Sequence, residues 1–324
     1  MTAAIRISQT GGPEVLKLET FDPGPPKAGE VRVRHRAIGV NFIDIYHRTG
    51  LYKLPLPTGL GLEAAGEVEA VGPGVTRFNA GDRVVYASGP IGAYAEASNV
   101  PAERAVAIPE GIAFDIAAAV LLKGLTAHYL LRRPYPVKPG QTILFHAAAG
   151  GVGVIAVQWA KRLGASVIGT VGSDSKVEIA RSLGCDHVIV PARENIANRV
   201  REITGGKGVP VAYDSVGRDT FMATLDSLAP RGRFVSFGNA SGPVPPFDGA
   251  LLAQKGSLFL TRPTLMHYVT TASELDAGAG ELFDLIRRGD IRIKPPRSFP
   301  LAQAAEAHRA LESRQTSGSL VLVP

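Results

Sequence analysis

The nine residues FHAAAGGVG (145–153) carry the chain's clearest chemical signal. They follow a short apolar run, TILFHA (142–147), and lead straight into the helix-periodic stretch VIAVQWAKRLG. In a strand–turn–helix setting, glycine at 150 lets backbone N–H groups come close to a pyrophosphate. Gly153 lets the helix pack tightly on the strand, and the helix N-terminus attracts negative charge. Gly150, Gly151, Val152 and Gly153 are therefore candidates to hold a dinucleotide. Ala148 stands where the first glycine of G-x-G-x-x-G is usual, so a slightly different turn is expected. A tight turn that holds no ligand is the alternative for the loop taken by itself.

The end of the next strand, GTVGSDSK (169–176), bears on which dinucleotide. NAD sites usually place a carboxylate there, about 20 residues after the loop, to bond the ribose 2′-hydroxyl. Here Gly172 and Ser173 hold the position and Lys176 follows, a set that suits a 2′-phosphate. Asp174 lies one residue beyond and is expected to cap the following helix. NADP(H) is favoured over NAD(H).

These residues need a scaffold. From about residue 115, short apolar strands alternate with helices: 142–147, 166–171, 187–190, 211–216, 233–238 and 257–261. Six such strands predict a doubly wound parallel sheet. The stretch FDIAAAVLLKGLTAHYLLRR before them reads as one or two helices. Residues 1 to about 120 are instead rich in glycine- and proline-punctuated β runs. In EVRVRHRAIGV (30–40), Val31, Val33 and His35 alternate with Arg32, Arg34 and Arg36, the pattern of a half-buried antiparallel strand. After Pro263 the alternation stops, and the tail is too small to fold alone. The expected division is 1–122, 123–263 and 264–324, with the last segment returning to the first.

Bulk properties narrow the classes. The 324 residues carry 35 lysines and arginines against 29 aspartates and glutamates, a net charge of +6, and no basic block stands out. Scattered charge of this kind gives a nucleic-acid partner little support. One cysteine, Cys185, excludes an internal disulfide and a four-cysteine metal site. The seven histidines show no metal-ligand spacing, and only His146, beside the loop, invites a check. No signal-like N-terminus and no run of about 18 apolar residues is expected, so a cytoplasmic protein without a membrane partner is anticipated.

Taken over its whole length, the chain resembles the zeta-crystallin-like quinone oxidoreductases of the medium-chain dehydrogenase/reductase superfamily. The resemblance rests on GVNFIDIYHRTGLY (39–52), GLGLEAAGEVEAVGPGV (59–75), AGDRVVYA (80–87), LKGLTAHYLL (122–131), FHAAAGGVGVIAVQWAK (145–161), YDSVGRDTF (213–221) and VSFGNASG (235–242). It implies a Rossmann sheet inserted into a GroES-like, mainly antiparallel β catalytic domain, with a quinone reduced by NADPH in the interdomain cleft. It also implies zinc-independent chemistry. Zinc alcohol dehydrogenases of the superfamily hold their metal at positions that here align with Asn41, Leu62 and Lys123, none a usual zinc ligand. A quinone accepts hydride without a Lewis acid, so stacked contact and hydrogen bonds to the developing oxyanion suffice.

The resemblance places Asn41 and Tyr46 beside the nicotinamide as the catalytic residues, each able to donate to the carboxamide or to a quinone oxygen. It adds Lys123 and Thr126, at the opening of a helix, and Tyr129 one turn on. Ser215 and Val216, then Phe237, Gly238 and Asn239, follow at strand ends, with Arg262 and Arg314 near the cofactor. Asp44 and Glu63 are expected to be buried structural carboxylates. Relatives carry a tyrosine where this chain has Pro191, with Arg193 as a candidate substitute. A homodimer paired through SLFLT (257–261) is the family expectation. Two rival functions remain: an NADPH-dependent enone or alkenal reductase, and a non-catalytic NADPH- or RNA-binding structural protein.

Overall fold

The computed structural model describes residues 1–313 and 318–324, in two compact units. The first comprises Met1–Leu125, Val269–Arg287 and Ile293–Pro324; the second comprises Thr126–Tyr268 and Arg288–Arg292.

The first unit is built on the strand Glu30–Val40, which pairs antiparallel with Ala64–Val71, Ala97–Pro101 and Leu320–Val323. The expected alternation holds, with Val31, Val33 and His35 buried and Arg34 and Arg36 exposed. Val31, Val33, Val68, Val84, Leu320 and Leu322 belong to one apolar core, whose burial drives the closing of this sheet. The last segment contributes two strands, Arg297–Pro300 and Leu320–Val323, and its register sets Leu322 against Ile38 and Leu320 against Val40. A smaller sheet joins Lys17–Phe21, Thr2–Ile7 and Thr58–Gly59.

The second unit holds six parallel strands: Thr142–Phe145, Ser166–Thr170, His187–Ile189, Val209–Asp214, Leu228–Ser236 and Phe259–Thr261. Their spatial order is third, second, first, fourth, fifth, sixth. This is the doubly wound Rossmann arrangement, and the order reverses beside the first strand, where the glycine loop begins. The fifth strand is longer than the sequence suggested. Residues 228–232 extend it at its start. Pro230 cannot continue a helix, and Arg231 takes a left-handed φ of 61°.

Phe114–Arg132 is one continuous helix of 19 residues, not two. Against expectation it is long and apolar enough to span a membrane by composition, yet 72% of its most apolar window is buried inside the protein. It is a core helix, apolar on all sides because it is surrounded. Lys123 and Thr126 consequently lie in mid-helix rather than at a helix start.

Candidate active site

In the second unit the helix Gly151–Arg162 starts directly after Gly150. A Cβ on Gly153 would lie 2.4 Å from the Ala147 carbonyl oxygen and 2.5 Å from that of Ala148, so only glycine fits. The departure at Ala148 is matched on the neighbouring strand. A Cβ on Gly169 would sit 2.8 Å from the Ala148 methyl and 2.6 Å from Cys185 Sγ. Glycine at 169 thus makes the room that the loop's missing glycine gives elsewhere. Gly150 and Gly172 are different: their backbone dihedrals do not demand glycine, no atom lies within 4 Å of a Cβ at Gly172, and the nearest at Gly150 is 3.1 Å away. The open space beside Gly172 fits a cofactor's approach, whereas at Gly150 a Cβ would crowd the Ala147 carbonyl oxygen. On the helix, Val157 and Ala160 are buried. Val154 is only half-buried, and Ile155, Ala156 and Trp159 complete the packed stripe.

Beneath the loop runs a buried polar truss that sequence reasoning missed. Ala147, at a left-handed φ of 52°, donates its N–H to Thr170 Oγ1 (3.3 Å). His146, fully buried, bridges Thr170 Oγ1 (3.1 Å) and Thr224 Oγ1 (3.0 Å) through its two ring nitrogens. Burial lowers its pKa, consistent with a neutral ring that accepts at one nitrogen and donates at the other. Asp214 then accepts from Val216 N (2.6 Å), Gly217 N (3.1 Å), Thr220 Oγ1 (2.6 Å) and Thr224 Oγ1 (3.2 Å). The ends of the first, second and fourth strands are thereby tied together. The motif YDSVGRDTF contains three of these partners, but nothing in its spacing revealed that Asp214 faces inward.

The predicted residues at the later strand ends also converge. Ala240 donates to the Ser215 carbonyl (3.1 Å) and Ser241 to that of Val216 (2.8 Å). Gly238 packs so closely that a Cβ would meet Ser215 O at 2.5 Å. Phe237 lies against Phe145, with ring centroids 5.9 Å apart, and Asn239 O accepts from Gly242 N at 2.9 Å. Arg262 donates to Ser236 O (3.2 Å), and Tyr129 stacks on Tyr268 at 4.5 Å with rings 8° apart. Arg262 also lies within electrostatic reach of the Tyr129 hydroxyl, whose pKa burial raises.

At the end of the second strand Gly172 and Ser173 are exposed, and burial lowers the pKa of Lys176. Asp174 does not cap the following turn: Ser173 occupies the N-cap, and Asp174 pairs with Arg193. Arg193 thus pairs with the carboxylate next to Ser173, and both side chains are largely exposed. Arg314 lies outside the described residues.

In the first unit Asn41 precedes the helix Phe42–Thr49 and is buried. Its side-chain Nδ2 donates to Glu63 Oε2 (2.8 Å), and its backbone N–H to Asp44 Oδ2 (2.8 Å). One of its donors is thus already committed inside the protein. Glu63 Oε1 accepts from Leu122 N (2.6 Å), while Lys123 Nζ stands 3.8 Å from Oε2. Asp44 and Glu63 are both fully buried, as expected. Desolvation raises both pKa values, that of Asp44 to about 7. Tyr46 is half-buried and packs edge-on against Tyr52 with ring centroids 5.2 Å apart.

The corner formed by Asn41, Leu62 and Lys123 offers an amide that donates to a carboxylate, an aliphatic chain and an ammonium. That donor set does not suit zinc, which takes thiolate, imidazole or carboxylate ligands. Among the described residues no cluster of three or more His, Cys, Asp or Glu has metal-binding geometry.

A GroES-like β unit interrupted by a six-stranded Rossmann unit defines a medium-chain dehydrogenase/reductase. Residues 27–110 match the alcohol dehydrogenase GroES-like domain family, and residues 151–278 match the zinc-binding dehydrogenase family. The chain is 57% identical over 325 residues to a quinone oxidoreductase of Pseudomonas aeruginosa, with 100% of both chains covered. It superposes on the crystal structure of Escherichia coli quinone oxidoreductase complexed with NADPH with a TM-score of 0.98. That match is 51% identical and covers 99% of this chain and 100% of the other. A 2-haloacrylate reductase of Burkholderia sp is 47% identical, over 100% of this chain and 99% of its own. The chain belongs to the quinone oxidoreductase family.

Proposed function

We propose that this protein is an NADPH:quinone oxidoreductase that works without zinc. NADPH, when bound, supplies the hydride. Gly150, Gly151, Val152 and Gly153 receive its pyrophosphate, and Gly172, Ser173 and Lys176 receive the 2′-phosphate. Thr126, Tyr129, Ser215, Val216, Phe237, Gly238, Asn239, Arg262 and Arg314 complete the cofactor set. Asn41 and Tyr46 act at the reacting ring, with Lys123 beside them. The observation that carries this reading is full-length identity of 51–57% to quinone oxidoreductases, together with the open space beside Gly172 at the end of the second strand.

Stopped-flow oxidation of NADPH and NADH against a panel of p-quinones and activated alkenes tests it. Quinone-dependent turnover with NADPH preferred is the expected result. Faster turnover of an alkene would favour the second reading, an enone-type reductase, which the 47% identity to a 2-haloacrylate reductase supports. Replacing Lys176 by Glu puts a like charge beside a 2′-phosphate. The variant should raise the apparent KM for NADPH about tenfold more than that for NADH. Equal changes for both cofactors would remove Lys176 from the phosphate site.

The sixth strand, Phe259–Thr261, is at an edge of the parallel sheet, and Phe259 is 54% exposed. An apolar open edge of this kind favours pairing with a second copy across a two-fold axis. Sedimentation of wild type and Phe259→Lys tests the dimer, which the variant should weaken. A cytoplasmic location fits the single buried thiol, Cys185, since disulfides mark oxidising compartments.

A further inference from the structure

Asn41 is gripped from two directions by residues far from it in sequence. One arm holds its side chain. Glu63 can only accept when ionised. Its Oε2 accepts from Asn41 Nδ2 (2.8 Å), with the Lys123 ammonium 3.8 Å away. Its Oε1 accepts from Leu122 N (2.6 Å), and the Leu121 N–H is a further donor to the carboxylate. The carboxylate has little freedom to move. A Cβ on Gly39 would lie 2.2 Å from Glu63 Oε2 and 2.4 Å from the Ala118 carbonyl oxygen, so glycine there is what admits it.

The other arm holds the backbone of Asn41, and its hydrogen bonds run in one direction. Arg48 is a donor only. His308 Nδ1 must therefore accept from its Nη1 (3.2 Å), which leaves the imidazole proton on Nε2. Nε2 then donates to the Tyr94 hydroxyl (3.0 Å), and that hydroxyl donates to Asp44 Oδ2 (3.0 Å). Asp44 Oδ2 receives the Asn41 N–H in turn (2.8 Å). Arg48 is anchored by Glu312 Oε1 (2.5 Å) and Gly11 O (3.1 Å). Every group from Arg48 to Asn41 is buried.

We propose that Glu63 and His308 are positioning residues that fix the Asn41 amide for hydride transfer, a proposal that rests on the placement of Asn41 at the reacting ring. Neither touches substrate; each acts through Asn41. The arrangement has a sharp consequence for Glu63→Gln. A glutamine has one acceptor, and the rigid Leu122 N–H claims it. The glutamine NH2 then faces Asn41 and forces the Asn41 amide to turn its oxygen inward. Shape is conserved, while the donor that Asn41 directs at position 63 is replaced by an acceptor.

The test measures kcat with a p-quinone, NADPH affinity by fluorescence titration, and thermal stability. The proteins are wild type, Asn41→Ala, Glu63→Gln, His308→Leu, His308→Gln, and the double variants with Asn41→Ala. Glu63→Gln and His308→Leu are expected to lower kcat about tenfold with NADPH affinity within about twofold. His308→Gln, which can still accept from Arg48 and donate to Tyr94, is expected to recover most of the rate. In the Asn41→Ala background Glu63→Gln should cost almost nothing further, since the group it positions is gone. If it costs as much there as in wild type, the proposal falls while the role of Asn41 stands. If Asn41→Ala itself leaves kcat unchanged, the placement of Asn41 falls and the proposal with it. Should His308→Leu fail to fold, the Glu63→Gln cycle and His308→Gln still decide the matter.

Discussion

Two aspartates, one in each unit, are both fully buried, and they are treated in opposite ways. Asp214 receives four hydrogen bonds, two on each oxygen, from the turn and helix after its own strand. Through Thr224 it joins the His146–Thr170 bridge to the first two strand ends. Asp44 receives two, both on Oδ2, while Oδ1 is buried with no partner. A carboxylate taken from water is tolerated when its lone pairs are filled and is costly when they are not. The half-served one has its pKa pushed up to about 7. The contrast separates two ways of building a site. The cofactor floor is a satisfied framework of backbone and hydroxyl groups. The network around Asn41 carries an electrostatic cost, and it sits where the reaction is assigned.

The largest effect should come from removing the satisfied carboxylate. Asp214→Ala orphans the Val216 and Gly217 N–H groups and leaves the Thr220 and Thr224 hydroxyls only their backbone carbonyl acceptors. It is expected to cost about 3 kcal/mol or more in denaturant unfolding and to abolish measurable NADPH binding. A loss below about 1 kcal/mol would show that the truss is dispensable. On the other side of the comparison, Asn41→Ala should spare the fold. It is expected to lower kcat roughly 30-fold while leaving NADPH affinity nearly unchanged. A rate equal to wild type would make Asn41 only the residue that starts its helix.

Asp44 predicts a pH dependence of opposite sense to that of an ordinary ion-paired aspartate. Its folded pKa of about 7 lies above the unfolded value of 3.8. Between those values the folded state binds more protons than the unfolded state, so stability falls as pH rises through the window. Compared with Asp44→Asn, which has no such proton, the wild type should lose about 2 kcal/mol between about pH 5 and pH 8. Glu63 is shifted in the same direction and its charge helps raise Asp44, so the difference reports Asp44 together with its coupling to Glu63. Parallel pH profiles for the two proteins would show that Asp44 is ionised throughout.

The difference between the two regions also explains what the sequence could reveal. The Rossmann strands and the glycine loop were legible because they are local: a few adjacent residues set the period, the turn and the close approach at Gly153. The exchange between Ala148 and Gly169 was not, since it needs the register of two neighbouring strands, Phe145 opposite Gly169. Pro230 marks the end of a helix at once, but not that the chain turns directly into a long strand. Least legible was the arm behind Asn41. Asp44, Tyr94 and His308 are distant in sequence and share no periodicity, and His308 read as one of seven ordinary histidines. Only the fold places them in one chain of hydrogen bonds. The burial of Asp44 and Glu63 was anticipated from the resemblance, but their partners were not.

The smallest predicted effect probes how well satisfied the cofactor floor is. Ala147 adopts a left-handed φ of 52°. That conformation costs a residue with a Cβ about 1 kcal/mol. Its N–H reaches Thr170 Oγ1, and its carbonyl accepts from Gly150 N at 2.8 Å, so the conformation is held by the loop's own bonds. Ala147→Gly removes the steric penalty and keeps both bonds, while adding freedom to the unfolded chain. The net result should be a gain of about 0.5 kcal/mol in stability, with NADPH affinity unchanged. Glycine there would then relieve a strain that the truss beneath the loop now bears. If instead the variant binds NADPH several-fold more weakly, the Ala147 methyl itself is what holds the loop in its binding shape, and the framework of the second unit is less complete than its hydrogen bonds suggest.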